Sequence, residues 1–269
     1  MSDKRFGFGK NWRGFLETLD EGRIDEAKIS LEKWTGLDDF NGMTFLDIGS
    51  GSGIFSLAAR MMGAEVHSFD YDEDSVLCTA ELRRRYFTDD SMWTVERGDI
   101  LDGKYISKYE EHDIVYSWGV LHHTGDMHTA LGNAGELVKA GGVLFVAIYN
   151  DQGWKSKAWT FEKKIYNMLP SVLKPMMSVP YYILVWGGIG IMDCLRGRPF
   201  ERYRTYRKRR GMSPWYDVID WVGGYPFETA KPEWIFDFYH NRGFELEKLG
   251  TVGGRSGCNQ YLFKKRDTV

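Results

Sequence analysis

Residues 43–53 read Met-Thr-Phe-Leu-Asp-Ile-Gly-Ser-Gly-Ser-Gly and indicate the fold of this 269-residue chain. The first six form a short apolar run that indicates a buried strand, and a helix-forming run at 54–64 follows the glycines. The glycines Gly49, Gly51 and Gly53 permit a sharp turn and let a ligand lie against bare main chain. The segment therefore predicts a strand, a glycine loop and a helix, in that order.

The same strand–helix alternation continues on both sides of this segment. A helical lead-in is predicted at 11–37. Further strands are predicted at 65–70, 92–99, 112–119, 141–150, 245–252 and 258–265, with helices at 74–87, 129–141 and 231–244. Strands and helices at this spacing predict an α/β fold with a Rossmann-like, doubly wound sheet of seven strands. Most strands are expected to be parallel, and the last antiparallel, because a short link joins it to its neighbour.

Composition narrows the class of protein. The chain is 43% hydrophobic and 15% aromatic, which is typical of a globular domain, and its net charge of −3 argues against nucleic acid as a partner. The three cysteines lie far apart and indicate neither a disulfide framework nor a zinc site. The first residues lack the apolar core of a signal peptide, so we expect a cytoplasmic protein.

The glycine loop excludes two common phosphate sites. A dinucleotide fingerprint requires glycine where the chain has Ile54 or Ser56, and a P-loop requires Gly-Lys-Ser/Thr. A tight turn without a ligand is the alternative. The loop, read from Asp47 as Asp-x-Gly-x-Gly-x-Gly, resembles motif I of the class I S-adenosylmethionine-dependent methyltransferases.

The order of motifs over residues 44–149 extends this resemblance. The glycine loop is followed by Asp70 at a strand end, by Asp99, and by residues 115–123, Val-Tyr-Ser-Trp-Gly-Val-Leu-His-His. This arrangement is most similar to the ubiquinone-biosynthesis-like and type 11/12 methyltransferases. The resemblance implies S-adenosyl-L-methionine as cofactor and S-adenosyl-L-homocysteine as product. It does not identify the acceptor.

Residue roles follow from the resemblance. Asp47 would influence the ammonium end of the cofactor, Asp70 the ribose hydroxyls, and Asp99 the adenine amino group. A helix cap is the alternative for Asp70, but we assign capping to Asp72 or Asp74. The predicted cofactor-binding residues are Asp47, Gly49, Ser50, Gly51, Gly53, Asp70, Tyr71, Asp99, Ile100, Trp118 and Leu121.

Two adjacent histidines are the candidate catalytic residues. His122 and His123 lie where an acceptor hydroxyl would approach, and a group titrating near 6.5 is suited to act as a base. Packing against adenine or helix capping is the alternative, and His123 is preferred. Tyr149, Asn150 and Tyr225 are candidates for the acceptor side. Nothing in the spacing indicates a metal, and the absence of Asn/Asp-Pro-Pro-Tyr argues against N-methylation of a nucleobase.

The segment 151–224 interrupts the alternation. It holds 18 uncharged residues at 175–192, followed by the basic residues Arg196, Arg198, Arg202, Arg204, Arg207, Lys208, Arg209 and Arg210. A buried lid over the acceptor pocket is the preferred interpretation. Reversible contact with an anionic membrane surface, a membrane span and a phosphate site are the alternatives. Near the N-terminus, Phe8, Trp12 and Arg13 are candidates for closing over the cofactor.

The sequence thus predicts four regions: a lead-in at 1–42, a cofactor-binding core at 43–150, a helical and basic insertion at 151–224, and completion of the sheet at 225–269. The predicted activity is O-methylation of a small or lipid-like hydroxylated acceptor. C-, N- or S-methylation, RNA or protein methylation, and cofactor binding without catalysis are the alternatives. The oligomeric state is left open.

Overall fold

The structure is a computed structural model that describes residues 5–7, 16, 19–210 and 214–267. In the described chain seven strands form one sheet: β1 (Thr44–Ile48), β2 (Glu65–Asp70), β3 (Trp93–Arg97), β4 (His112–Trp118), β5 (Val138–Tyr149), β6 (Phe244–Gly250) and β7 (Cys258–Lys265). Their order is β3-β2-β1-β4-β5-β7-β6. β7 is antiparallel to both of its neighbours and the other pairs are parallel. The predicted fold class and the antiparallel last strand are therefore confirmed.

Helices cover both faces of the sheet. The helices of the described residues are α1 (Glu21–Thr35), α2 (Ile54–Met61), α3 (Glu73–Tyr86), α4 (Gly103–Ile106), α5 (Met127–Glu136), α6 (Trp154–Met168), α7 (Pro175–Leu195), α8 (Glu201–Arg210), α9 (Pro214–Gly223) and α10 (Pro232–His240), with a 3-10 turn at Leu121–His123. Alternation along β1 divides the core, because successive strand residues face opposite sides. Phe45 packs with α1 and α2, whereas Leu46 and Ile48 pack with α5 and α10.

The boundary between α5 and β5 differs from the predicted one. The helix predicted at 129–141 ends at Glu136, and β5 begins at Val138, three residues earlier than expected. Val138 pairs with His112 and is fully buried, while Lys139 forms an ion pair with Asp113 at 2.9 Å. These contacts with β4 outweigh the helical pattern of the segment, because tertiary packing overrides local propensity.

The described residues of the insertion fold into four helices, α6 to α9. Tyr166 of α6 and Val218 and Val222 of α9 form a small buried cluster against which side chains of α7 pack. Near the N-terminus, α1 occupies the later part of the predicted lead-in, with Asp20 as its N-cap and Gly36 as its C-cap. Phe8, Trp12 and Arg13 lie outside the described residues, so their predicted role stays a prediction.

Candidate functional site

The loop between β1 and α2 owes its shape to left-handed glycines. The φ angle is 76° at Gly49, 55° at Gly51 and 79° at Gly53. A β-carbon at Gly49 would lie 2.4 Å from the side chain of Val120, and one at Gly53 would lie 2.9 Å from Thr79. Any other residue there would be both strained and crowded. The loop therefore packs tightly between α3 and the segment that follows β4.

Asp70, at the carboxyl end of β2, turns its carboxylate toward this loop. Its Oδ2 accepts a hydrogen bond from the amide of Gly51 at 2.9 Å, and its Oδ1 accepts one from the amide of Asp72 at 2.8 Å. Burial raises the pKa of Asp70 to about 6, although both hydrogen bonds favour the charged form. Asp72 is the N-cap of α3, so the capping role belongs to Asp72.

Asp47 is a second carboxylate beside the loop. It is only 3% exposed, and its Oδ2 accepts a hydrogen bond from the Ser56 hydroxyl at 2.5 Å. Burial raises the pKa of Asp47 to about 7. The Ser56 hydrogen bond offsets part of this shift and the charge of Asp70 adds to it. A nearby cation would favour the charged form of such a group.

A cavity of about 570 Å³ joins these groups to the residues that follow β4 and β5. It lies at the carboxyl ends of the strands, where ligands bind in open α/β sheets. Nine of the predicted site residues line it: Asp47, Gly49, Ser50, Gly51, Asp70, Tyr71, Trp118, His123 and Tyr149. The structure thus brings together residues spread over about a hundred positions of sequence.

Other predicted cofactor residues do not line the cavity. Gly53 is the N-cap of α2, while Ile100 and Leu121 are buried in the core. Asp99 accepts hydrogen bonds from the Arg5 guanidinium at 3.1 Å and from the amide of Leu101 at 3.0 Å. Their assignment to the cofactor stays a prediction that the cavity lining does not support.

Two predicted acceptor residues have structural contacts instead. The Asn150 side chain donates to the carbonyls of Gly253 and Arg255 and accepts from Asn259, so it connects β5 to the link before β7. Tyr225 accepts a hydrogen bond from the Phe6 amide through its carbonyl. Neither residue lines the cavity.

The two histidines differ in their hydrogen bonds and in their access to the cavity. Nδ1 of His123 lies 2.6 Å from the carbonyl oxygen of Pro226, which can only accept, so Nδ1 carries the proton and Nε2 holds a lone pair. Burial lowers the pKa of His123 to about 4, which keeps the ring neutral at neutral pH. His122 is fully buried, does not line the cavity, and has no hydrogen-bond partner for either ring nitrogen among the described residues.

Several cavity residues were not predicted from the sequence. They include Arg5, Phe6, Arg23, Asp217 and Asp220. Asp217 and Asp220 lie three residues apart on α9, so they share a helix face. The sequence shows this spacing, but it does not show that the helix lies beside the glycine loop.

The structure does not support the lid interpretation for α7. In the described part of the insertion, the residues that line the cavity belong to α9, and none belongs to α6, α7 or α8. Only 11% of the 18-residue apolar stretch in α7 is buried. The insertion therefore forms part of the cavity wall through α9, while most of α7 faces outward.

Comparison with known proteins relates the core of this chain to methyltransferases. Residues 46–144 match a family model described as a methyltransferase domain. The ubiquinone biosynthesis O-methyltransferase of Paramagnetospirillum magneticum is 32% identical over 120 residues, which is 45% of each chain. The chain therefore spans less than half the length of this curated relative.

Solved structures share the fold across most of the chain. Magnesium protoporphyrin IX methyltransferase from Synechocystis, solved with bound S-adenosylhomocysteine, superposes with a TM-score of 0.54 at 14% identity. The alignment covers 91% of this chain and 84% of that one. The cyclase SpnF gives the same TM-score at 13% identity, covering 91% of this chain and 81% of its own. At such identity the likeness concerns the fold alone.

The motif order, the sheet topology and the matched domain all concern the same stretch of chain. β1 to β5 and the glycine loop carry the family match, and the antiparallel β7 completes the shared fold. The motif order, the topology and the family match therefore agree on a methyltransferase domain at residues 46–144.

Proposed function

We propose that the chain is an S-adenosylmethionine-dependent methyltransferase that methylates a hydroxyl group of a small or lipid-like acceptor. The observation that carries this proposal is the placement of His123 in the same cavity as Asp47 and Asp70. One side of the cavity offers carboxylates and bare glycine backbone, and the other offers a neutral imidazole between aromatic rings. The curated relative is itself named an O-methyltransferase, which agrees with this assignment.

The cofactor side fits an amino-acid sulfonium nucleoside. Asp47 is a buried carboxylate whose pKa is raised by burial, and the cofactor's ammonium group would favour its charged form. Asp70 lies next to the Gly51 amide and would accept hydrogen bonds from the ribose hydroxyls. When bound, S-adenosylmethionine supplies an activated methyl group. The protein residues hold the cofactor in place and limit the access of water.

The acceptor side fits a hydroxylated molecule. With its Nδ1 proton donated to Pro226, His123 presents Nε2 as a proton acceptor. Its low pKa makes complete proton transfer from a phenol unfavourable before methylation. Nε2 would therefore accept the hydroxyl proton while the methyl group passes from the sulfonium sulfur to the oxygen, with S-adenosylhomocysteine leaving as a neutral thioether. Tyr149 lines the cavity beside the imidazole, with ring centroids 5.6 Å apart, and offers a flat apolar surface to an aromatic acceptor. Phe227 packs against the same imidazole from the protein interior, with ring centroids 6.4 Å apart.

Replacement of His123 tests the proposal. The purified chain is incubated with methyl-labelled S-adenosylmethionine and simple phenols, catechols or a lipid extract of cells, and labelled products are separated. His123→Asn should lower turnover by roughly 100-fold or more, the usual contribution of a positioned base, while calorimetry shows unchanged affinity for S-adenosylhomocysteine. His128→Asn is the matched control, because His128 is exposed and does not line the cavity.

The outcome separates the competing functions. Equal turnover in His123→Asn and wild type would remove the base mechanism and favour a more acidic or softer acceptor atom. Labelled material that ribonuclease or protease destroys would identify RNA or protein as the acceptor. Cofactor binding without any labelled product would identify a binding protein.

We also propose that the enzyme acts in the cytoplasm. Cys78, Cys194 and Cys258 are all free thiols, which suits a reducing compartment. Localisation of the tagged full chain by fractionation, with periplasmic and cytosolic marker proteins, tests this assignment.

A further inference from the structure

Helix α7 has two faces that differ in burial but hardly differ in polarity. Exposure recurs every three to four residues along its whole length, so the exposed positions form one stripe. Met177, Tyr181, Tyr182 and Trp186 pack inward against α6 and α9. The exposed stripe carries the apolar side chains Met176, Val179, Ile183, Leu184, Ile191, Met192 and Leu195.

This stripe is unusual for a helix that faces water. Ile183 is 62% exposed, Leu184 is 78% exposed and Leu195 is 83% exposed. The charged residue within α7, Asp193, is buried and forms an ion pair with Arg202 at 2.5 Å. The stripe therefore has no charge along about 30 Å of helix. An exposed apolar surface of this extent marks an interaction site.

Basic residues lie at both ends of α7. Lys174 directly precedes α7, and Arg196, Arg198 and Arg204 follow it in the turn and on α8. One acidic residue of this flank, Glu201, lies 3.5 Å from Arg198. An apolar surface bordered by positive charge is complementary to a bilayer that contains anionic phospholipids.

A groove of about 350 Å³ lies between α7 and α8, beside the stripe. Trp186, Phe200 and Tyr203 line it, together with Ile183, which also belongs to the exposed stripe. Tyrosine and tryptophan rings are enriched where a protein meets the boundary between lipid chains and headgroups. The groove thus offers an apolar recess continuous with the exposed stripe.

The same contacts argue against a membrane span. α7 has 21 residues and is apolar enough to cross a bilayer. However, its other face packs on α6 and α9, and Asp193 connects it to α8 through Arg202. A span would break these contacts and carry buried polar groups into lipid. The helix is therefore suited to lie in the plane of the interface.

We propose that the exposed stripe of α7, with its basic flank, docks on a bilayer containing anionic phospholipids. The proposal extends the proposed function, because a lipid-like acceptor dissolved in that bilayer would lie beside the enzyme. It does not require catalysis, so it can fail while methyl transfer stands.

Vesicle sedimentation of the full chain tests the docking. The probes are vesicles of phosphatidylcholine with and without phosphatidylglycerol, each at low and high salt. Wild type should bind the anionic vesicles, and part of the binding should persist at high salt, because apolar insertion is not screened. The double variant I183E/L184E should bind at least roughly tenfold more weakly, because two apolar groups no longer insert.

The matched control is Ile29→Glu, which replaces a similarly exposed apolar residue, 61% exposed, on α1. It should bind vesicles as wild type does, and both variants should retain wild-type affinity for S-adenosylhomocysteine, which shows that they are folded. Equal vesicle binding by wild type and I183E/L184E would overturn the proposal. A wild-type dimer that I183E/L184E converts to monomer, without vesicle binding, would also overturn it and identify the stripe as a self-association surface.

Discussion

At the scale of single residues, the main feature of the site is a pair of buried carboxylates. Asp47 and Asp70 both have raised pKa values, because burial disfavours their charged forms. An acid whose pKa is higher in the folded state than in the unfolded state lowers stability above its unfolded pKa. The two buried carboxylates therefore lower the stability of the chain at neutral pH, and a bound cation would favour their charged forms.

Replacing Asp47 tests whether its burial lowers stability and whether its charge binds the cofactor. Asp47→Asn should raise the free energy of unfolding of the ligand-free chain by roughly 1–3 kcal/mol at pH 8, because no charge is then buried there. The same change should weaken S-adenosylhomocysteine binding by at least roughly tenfold, because the ammonium group loses a charged acceptor. Urea unfolding and calorimetry measure the two effects.

Asp38→Asn provides the control, since Asp38 is exposed and does not line the cavity. It should leave both quantities unchanged. A less stable Asp47→Asn chain that binds as tightly as wild type would show that Asp47 serves the fold and not the cofactor.

The residues that could be predicted from sequence are those whose signals are local. The glycine loop and Asp70 follow directly from the strands that carry them, so motif order located them. Arg5 and Asp99 are separated by 94 positions, and their ion pair depends on how the N-terminal segment returns to the sheet. The Arg5 guanidinium also lies 4.1 Å from the Tyr71 ring centroid. No periodicity announces such a contact.

At the scale of elements, α6 and α9 meet around a buried lysine. Lys163 is 1% exposed, donates to the carbonyl of Trp221, and lies within 5 Å of the ring centroids of Trp221 and Phe227. Burial lowers the pKa of Lys163 to about 7. Because the unfolded state keeps its proton up to a higher pH, stability rises with pH from about 7 to about 10.5.

Lys163→Met should therefore stabilise the chain most under mildly acidic conditions. We expect a gain of roughly 1–2 kcal/mol at pH 6, since the buried cation is removed and one hydrogen bond is lost. The gain should shrink as the pH rises from about 7 and should be smallest above about 10.5, where wild-type Lys163 is neutral in both states. Urea unfolding across this range measures the difference. A gain that is constant with pH would contradict a titrating Lys163.

Element boundaries show where sequence reasoning ends. The strand predicted at 65–70 has its predicted limits, because apolar residues and turn residues agree there. The helix predicted to reach position 141 stops at Glu136, because Val138 pairs with β4. The two faces of α7 are almost equally apolar, so only the packing against α6 and α9 reveals which face is exposed. That packing requires contacts distant in sequence.

At the scale of the whole molecule, the response to pH combines opposing groups. His112, His122 and His123 have lowered pKa values because they are buried, so acidification below about 6.5 destabilises the folded chain through them. Asp47 and Asp70 act in the opposite direction over the same range. Unfolding measured without ligand therefore mixes both contributions, whereas the effect of a ligand isolates the groups that it contacts.

Binding of S-adenosylhomocysteine should strengthen as the pH rises from about 5.5 to about 8, because Asp47 and Asp70 lose their protons over this range and the ammonium group favours their charged forms. Between pH 6 and pH 7, binding should release protons, which calorimetry in two buffers of different ionisation enthalpy detects. The release should vanish near pH 9 and should fall in Asp47→Asn. Proton uptake on binding, or an affinity independent of pH, would mean that neither carboxylate meets the cofactor, and the cavity would then need another ligand.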